Sequence, residues 1–178
     1  HRLDTGTSGL VIIAKTPEAE ELFLAAIKSR EVKKTYLCVT FGRPTPPDAT
    51  LGGYLLKDAD RGIVKIVEDK QPGAKNVETR YETIAVSGRL ALLKVRLITG
   101  RTHQIRVHMA YIGHPLAGDT LYGGSDSILS RHALHCAVLR FTHPVSRQAI
   151  RIQSKLPPDM AALAHSEGLF NNWDLQEL

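Results

Sequence analysis

The sequence predicts an α+β domain in which a mixed, largely antiparallel β-sheet is flanked by helices. Several apolar runs have the length of strands, and two of them, Val77–Val86 and Leu90–Ile98, are joined by a Ser87-Gly88 turn that predicts a hairpin. Three other segments are predicted to be helices. Residues 1–178 are expected to form one domain, because no internal repeat or clear boundary divides them.

The first helix is predicted to begin at Pro17 and to end near Arg30. Thr16 is a favourable N-cap residue, and proline suits the first helical position because its missing N–H is not needed there. The apolar residues that follow share one helical face, as is typical of a helix with one buried side; they are Leu22, Phe23, Ala26 and Ile27.

Short apolar runs give the remaining strand predictions. The run Leu10–Ala14 predicts a buried strand directly behind a polar, glycine-rich turn. A loop with several prolines is expected at Phe41–Pro47, and a short helix at Asp159–Ala164 precedes a polar tail. Besides this run and the hairpin, the predicted strands are Thr35–Phe41, Leu134–Thr142 and Ala149–Ser154.

The segment His103–Ile112 is predicted to be a helix that ends at Gly113, a favourable residue just beyond a helix. Arg106 lies within about 60° of His103 around such a helix and points away from the apolar stripe, so we expect it to face a site. The stripe consists of Ile105, Met109 and Ile112.

Two histidines of this helix could suggest a metal site, but their spacing does not favour one. His103 and His108 are five residues apart, which places them about 140° from each other, whereas chelating pairs are three or four residues apart. We therefore expect no metal site, and we interpret His108 as a hydrogen-bonded structural histidine. His103 has two possible roles, to support other site residues or to contact a phosphate.

The first ten residues place a carboxylate, Asp4, in a polar turn. Gly9 lets the backbone approach a ligand closely, and the strand expected behind the turn would hold Asp4 rigidly. Catalytic carboxylates are commonly held in such turns. The full segment is His1-Arg2-Leu3-Asp4-Thr5-Gly6-Thr7-Ser8-Gly9-Leu10.

The same turn has two other interpretations. Asp4-Thr5-Gly6 resembles the loop of aspartic proteases, in which two carboxylates share one proton. Because the chain has no second Asp-Thr-Gly or Asp-Ser-Gly, only a homodimer could complete that pair, and Arg2 would keep both carboxylates ionised. An ordinary turn with a solvated aspartate is the third interpretation.

Composition favours a polyanionic partner. The chain has 23 Lys and Arg against 18 Asp and Glu, a formal net charge of +5. Its two cysteines, Cys38 and Cys136, lie in apolar runs and are expected to be buried, reduced thiols. The sequence has no signal peptide and no apolar run of transmembrane length, so we expect a cytoplasmic protein without membrane contact.

Two further blocks extend the pattern begun at Asp4. Lys33-Lys34-Thr35-Tyr36 opens a predicted strand. The other block is Arg101-Thr102-His103-Gln104-Ile105-Arg106-Val107-His108, followed by Gly113-His114-Pro115-Leu116-Ala117-Gly118-Asp119 and Tyr122-Gly123. With His1-Arg2-Leu3-Asp4, these blocks make the chain resemble the RluA-type RNA pseudouridine synthases, from His1 to about Pro157.

The resemblance implies an enzyme that isomerises uridine in RNA to pseudouridine without a cofactor. Asp4 matches the family's essential aspartate, which acts either as nucleophile or as base. Tyr36 matches the tyrosine that stacks on the base, and Arg106 matches the arginine that pairs with the aspartate. By this resemblance we expect ribosomal RNA rather than transfer RNA as the substrate.

The resemblance also implies contacts with RNA around Asp4. Arg2 would fill the space left by the flipped uridine, and Leu134 would pack on the other face of the base unless it belongs to the core. Arg101 and Lys33 or Lys34 would contact phosphates.

Members of the family normally have further strands ahead of the motif at His1, so we expect this chain to lack the N-terminal part of the catalytic domain. We also expect it to be nearly inactive by itself, because those strands would support the turn that carries Asp4. An inactive RNA-binding fragment is therefore the alternative function, and a homodimeric aspartic protease is the third.

Overall fold

A computed structural model describes residues 1–58 and 62–169 of the chain. In these residues eight strands form one sheet: β1 Ser8–Gly9, β2 Lys33–Phe41, β3 Asp48–Asp58, β4 Ile63–Val67, β5 Lys75–Ser87, β6 Leu90–Leu97, β7 Leu134–Thr142 and β8 Ala149–Gln153. Their order in the sheet is β1-β7-β2-β6-β5-β3-β4, and β8 also pairs with β7. All neighbouring strands are antiparallel except β1 and β7, so the mixed, largely antiparallel sheet is confirmed.

Three α-helices are present in the described part of the chain, namely α1 Pro17–Lys28, α2 Gln104–Tyr111 and α3 Pro158–Ser166, together with a short 3₁₀-helix, Thr120–Tyr122. The Thr16 side chain caps α1 by accepting a hydrogen bond from the N–H of Ala19, as predicted. None of the helices in residues 1–58 and 62–169 is long and apolar enough to cross a membrane.

The central strands are buried on both faces. Along β2, Leu37 and Val39 point to one side and Tyr36 and Cys38 to the other, because side chains alternate along a strand. The first side packs against α3 through Met160, Leu163 and Ala164. The second packs against α2 through Ile105 and Met109, which places Tyr36 and α2 on the same face of the sheet.

The predicted hairpin, the strand Leu134–Thr142 and all three helices are confirmed. The prediction for Leu10–Ala14 is wrong, because the chain pairs with β7 only at Ser8–Gly9 and then leaves the sheet. Ile13 is 82% exposed, so the apolar run does not mark a buried strand. Leu22 was expected on the buried face of α1 but is 41% exposed.

The strands β3 and β4 were not predicted from the sequence. They extend the sheet beyond β5, and β3 alternates exposed and partly buried residues along most of its length. Cys38 and Cys136 are buried free thiols, as expected.

Candidate active site

The turn that carries Asp4 is closed by a hydrogen bond from the N–H of Thr7 to the carbonyl of Asp4, at 2.9 Å. It continues into β1, where Gly9 has a φ of +115°. A Cβ atom at Gly9 would lie 2.3 Å from the carbonyl oxygen of Cys136 on β7. Glycine is therefore required for β1 to dock against β7.

Side chains from the segment before and at the start of β7 anchor the same turn. The Thr7 hydroxyl lies 2.7 Å from Nε2 of His132, and the Ser8 hydroxyl lies 2.9 Å from Nδ1 of His135. Burial is the main cause that lowers the pKa of His132 to about 4. This histidine is therefore neutral at neutral pH.

Arg131 connects the turn to helix α3. Its Nη1 donates a hydrogen bond to the carbonyl of Gly6 at 2.9 Å. Its Nε and Nη2 donate to the two carboxylate oxygens of Asp159, at 2.7 and 2.9 Å. Hydrogen bonds from Arg131 lower the pKa of Asp159, so the pair stays charged.

Arg106 projects from α2 to the underside of the turn. Its Nε and Nη2 donate to the two oxygens of Asp119 at 2.7 Å each, and its Nη1 lies 4.0 Å from Oδ2 of Asp4. Burial disfavours the charged guanidinium, but the hydrogen bonds and charge of Asp119 outweigh it and raise the pKa of Arg106. The main partner of Arg106 is thus Asp119, whereas the resemblance implied Asp4.

Tyr122 joins this group from the 3₁₀-helix. Its ring centre lies 5.1 Å from Cζ of Arg106, and its hydroxyl lies 2.9 Å from Nδ1 of His103. The same hydroxyl accepts a hydrogen bond from the N–H of Val64, so its own proton is free to go to His103. Burial lowers the pKa of His103 and Arg106 lowers it further. His103 is therefore hydrogen-bonded to Tyr122, an arrangement typical of a residue that supports other site residues.

A pocket of about 160 Å³ opens above Asp4. It gathers residues from four distant parts of the chain, including six of the nine that the sequence analysis selected. Those six are Arg2, Asp4, Lys34, Tyr36, Arg101 and Leu134. The other three are placed elsewhere: Lys33 lines a neighbouring groove, whereas Arg106 and His103 lie outside the pocket lining.

Tyr36 and Leu134 form apolar walls of the pocket. They are 5% and 3% exposed, and the structure packs both in the cluster that includes Cys136. Burial raises the pKa of the Tyr36 hydroxyl, and the neighbouring Cys136 and Asp4 raise it further. Tyr36 is consequently a neutral phenol at any physiological pH.

Gln104 fixes the rim of the pocket, a role that the sequence analysis missed. Its Oε1 accepts from the N–H of Arg101 at 3.0 Å and from the Thr99 hydroxyl at 2.8 Å. Its Nε2 donates to the carbonyl of Glu78 and to Oγ1 of Thr79. All its polar positions are thus used, and the amide holds the loop before α2 in place.

Thr79 links this network to His108, whose Nδ1 lies 2.8 Å from Oγ1 of Thr79. His108 is fully buried, and burial lowers its pKa to about 4. The interpretation as a structural histidine is confirmed. Among the described residues, no group of three or more His, Cys, Asp or Glu could hold a metal ion.

Further site residues missed from the sequence are Asp119, Tyr122, Arg131 and His132. Asp119 and Tyr122 belong to the quoted motifs, so the motif itself was an available signal. No local pattern identifies Arg131 and His132, because their contacts with residues 6 and 7 join positions 125 residues apart.

This fold and pocket correspond to a known class of enzyme. Residues 1–111 match the family model described as RNA pseudouridylate synthase. The chain belongs to the RNA pseudouridylate synthase family, which confirms the resemblance seen in the sequence. The match includes Asp4-Thr5-Gly6 and replaces the aspartic protease interpretation of that turn.

Relatives of known sequence support the same assignment. A Bacillus subtilis protein named uncharacterized RNA pseudouridine synthase YjbO is 37% identical over 166 residues, covering 93% of this chain and 58% of that protein. Ribosomal large subunit pseudouridine synthase D of Nitrosomonas europaea is 39% identical over 175 residues, covering 92% of this chain and 49% of that protein. The chain thus spans about half the length of the curated relatives it matches.

Solved structures show the same fold. Human RNA pseudouridylate synthase domain containing 1 superposes with a TM-score of 0.77 and 26% identity, covering 92% of this chain and 71% of that chain. Human RNA pseudouridylate synthase domain containing 4 superposes with a TM-score of 0.78, covering 93% of this chain and 73% of that chain. Its identity of 22% supports a common fold alone.

Proposed function

We propose that the full-length protein isomerises uridine in RNA to pseudouridine and that Asp4 is its catalytic carboxylate. The observation that carries the proposal is the position of Asp4 in a pocket whose apolar walls include Tyr36 and Leu134. A carboxylate next to apolar walls suits a reaction at the sugar of a nucleotide whose base is held by those walls. The family assignment supports the same chemistry.

The size and charge of the pocket support a single flipped nucleotide as its occupant. A cavity of about 160 Å³ is small beside the 300 Å³ or more that is usual for larger ligands, and it suits one base. Flipping a base out of its stack costs a few kcal/mol, and stacking on an aromatic ring such as Tyr36 can return about 1–3 kcal/mol. Arg2, Lys34 and Arg101 carry positive charge around the pocket, where phosphates would approach.

The reaction breaks the N1–C1′ bond, turns the uracil and joins C5 to C1′. The proton lost from C5 is balanced by the proton gained at N1, so nothing is oxidised or consumed. Asp4 either attacks the sugar at C1′ or removes the C2′ proton, and both routes use the ionised carboxylate. The Arg106 guanidinium, 4.0 Å away, supports that charge.

We propose ribosomal RNA as the substrate class, since several relatives are named for the large ribosomal subunit. The test is to delete the full-length gene and map pseudouridine in ribosomal and transfer RNA. We expect one or a few uridines of large-subunit RNA to lose modification and to regain it with a plasmid copy.

Loss confined to transfer RNA would contradict the proposed substrate class. Unchanged modification in both RNA classes would contradict the proposed activity. The alternative, an inactive RNA-binding fragment of such an enzyme, predicts that the purified 178-residue chain binds this RNA without forming pseudouridine.

A further inference from the structure

A second cavity adjoins the active-site pocket. It is a groove of about 400 Å³ between the end of α1, the start of β2 and the loop after β6. Four residues line both cavities, which makes the groove continuous with the pocket; they are Lys34, Leu97, Gly100 and Arg101. We call it the basic groove.

The walls of the basic groove carry charge of one sign. Its lining includes Lys28, Arg30, Lys33, Lys34 and Arg101, and among the described residues no Asp or Glu lines it. The chain as a whole has 18 acidic residues, so a stretch with five cations and no anion is a local concentration of charge. Such a groove attracts polyanions.

Helix α1 separates its own charges along its length. Glu18 and Glu20 lie in its first turn, and Lys28 lies in its last. Each helical residue rises about 1.5 Å, so Glu18 and Glu20 lie about 15 and 12 Å from Lys28 along the axis, beyond the Debye length of about 8–10 Å at physiological salt, and Glu21 lies at about that length. These carboxylates therefore do little to neutralise the groove. Glu31 follows Arg30 in the sequence but does not line the groove. Lys28 also suits the negative end of the helix dipole, but the dipole explains none of the cations beyond the helix.

Arg30 occupies a backbone position that favours glycine. Its φ is +63°, and its N–H donates to the carbonyl of Ile27 just past the end of α1. A left-handed backbone conformation is unfavourable for a residue with a side chain. Arginine at this position thus carries a conformational cost, and it supplies an exposed guanidinium to the groove.

Apolar side chains also line the groove. They include Leu24, which is 55% exposed, together with Ile27 and Leu97. Lys34 is half-buried, and this burial lowers its pKa, so an anion at its ammonium group would offset the loss of hydration. A groove lined by both cations and apolar side chains suits a nucleic-acid strand, because phosphates can contact the cations while sugars or bases contact the apolar residues.

We propose that the basic groove binds the phosphodiester backbone of the RNA strand next to the uridine in the active-site pocket. The identity of that uridine rests on the proposed function, whereas binding of a single RNA strand in the groove does not. Lys28 and Arg30 are the phosphate contacts that this proposal adds.

The test uses the full-length protein and a fluorescein-labelled 12-nucleotide oligouridylate, with the dissociation constant measured between 50 and 200 mM NaCl. Lys28→Gln with Arg30→Gln removes two cations of the groove. Arg147→Gln with Lys155→Gln is the matched control, because both residues are exposed, lie outside both cavities, and Arg147 also has a positive φ of 60°. A third variant, Lys28→Arg with Arg30→Lys, exchanges the two residue types and keeps both positive charges.

The slope of log K against log salt is negative, and each lost phosphate contact makes it less steep by about 0.7 for a single strand. We therefore expect the slope of the groove variant to be less steep by about 1.4. We expect this variant to bind about tenfold more weakly at 100 mM salt, while the control and the third variant behave like the wild type. Equal weakening in the control and the groove variant, or an unchanged slope in the groove variant, would overturn the proposal.

Isomerisation of ribosomal RNA from the deletion strain is measured separately with the wild-type protein. Absence of product there would contradict the proposed function, and the salt slopes would still decide whether the groove binds RNA.

Discussion

Asp119 accepts two hydrogen bonds from Arg106, one from Nε and one from Nη2, and the remaining guanidinium nitrogen, Nη1, faces Asp4. The two bonds are 2.7 Å each, and both residues are almost fully buried. Asp119 does not line the pocket, but its hydrogen bonds fix the position of the Arg106 guanidinium next to Asp4. The stability of this part of the fold and the geometry of the site therefore depend on the same ion pair.

We predict that Asp119→Ala lowers the free energy of unfolding by about 3–5 kcal/mol, because it leaves a buried guanidinium without its partner. Urea denaturation of the full-length protein measures the change. Asp126→Ala is the control, since Asp126 is exposed and surface substitutions usually change the free energy of unfolding by about 0.5 kcal/mol or less. Equal losses in both variants would contradict this account of Arg106.

We predict that Arg131→Ala lowers kcat about 10- to 100-fold with little change in RNA affinity. Arg131 ties the carbonyl of Gly6 to α3, and a reacting group displaced by about 1 Å can lose about 100-fold in rate. Single-turnover rates and RNA binding separate the two effects. Arg131→Lys should recover part of the rate, because lysine can reach Gly6 or Asp159 but cannot bind both in the same way. A normal kcat in Arg131→Ala would show that this link does not position Asp4.

We predict that Tyr36→Phe lowers turnover more than RNA binding, because phenylalanine keeps the stacking area and loses the hydroxyl. Burial keeps that hydroxyl protonated, so the pH profile of the wild type should show no titration of Tyr36 below pH 10. The measurement compares the dissociation constant and the single-turnover rate of both proteins. A collapse of affinity with an unchanged rate of the bound complex would make Tyr36 a binding residue only.

We predict that the free energy of unfolding falls as the pH is lowered from about 6.5 towards 4. His108 is buried, and its pKa is lowered to about 4, so below about pH 6.5 the unfolded chain binds a proton that the folded chain does not. The expected loss from His108 is about 2 kcal/mol at pH 5. His108→Gln should weaken this pH dependence in urea denaturation between pH 4.5 and 7.5. The same dependence in the variant would contradict the role given to His108.

Much of the fold could be predicted because its signals are local. The cap at Thr16 and Pro17, the two-strand pattern around Gly88 and the apolar run Leu134–Thr142 each depend on neighbouring residues, and each is found in the structure. The strand β3 escaped prediction because it is half-exposed and contains two glycines, Gly52 and Gly53. The strand prediction at Leu10–Ala14 is wrong because a run of apolar residues such as Ile13 looks the same in the sequence whether it is buried or exposed.

The candidate site was predictable to the extent that its residues lie in motifs. Asp4, Tyr36 and Leu134 come from three distant segments, and the motifs selected them where composition and periodicity could not. The main partner of Arg106 could be identified only from the structure, because Asp119, 13 residues away in the sequence, comes next to Arg106 only in the folded chain. The link from Arg131 to Gly6 is likewise a property of tertiary packing.

The most direct test of the central claim is the amount of pseudouridine formed by Asp4→Asn in the full-length protein, with ribosomal RNA from the deletion strain as substrate. Asn has nearly the same shape but no charge, and loss of a nucleophile or base commonly costs several orders of magnitude in rate. We predict a rate at least about a thousandfold below that of the wild type, with RNA affinity nearly unchanged and normal activity in the exposed control Asp126→Asn. Pseudouridine formation by Asp4→Asn at a rate close to that of the wild type would contradict the assignment of Asp4 as the catalytic carboxylate.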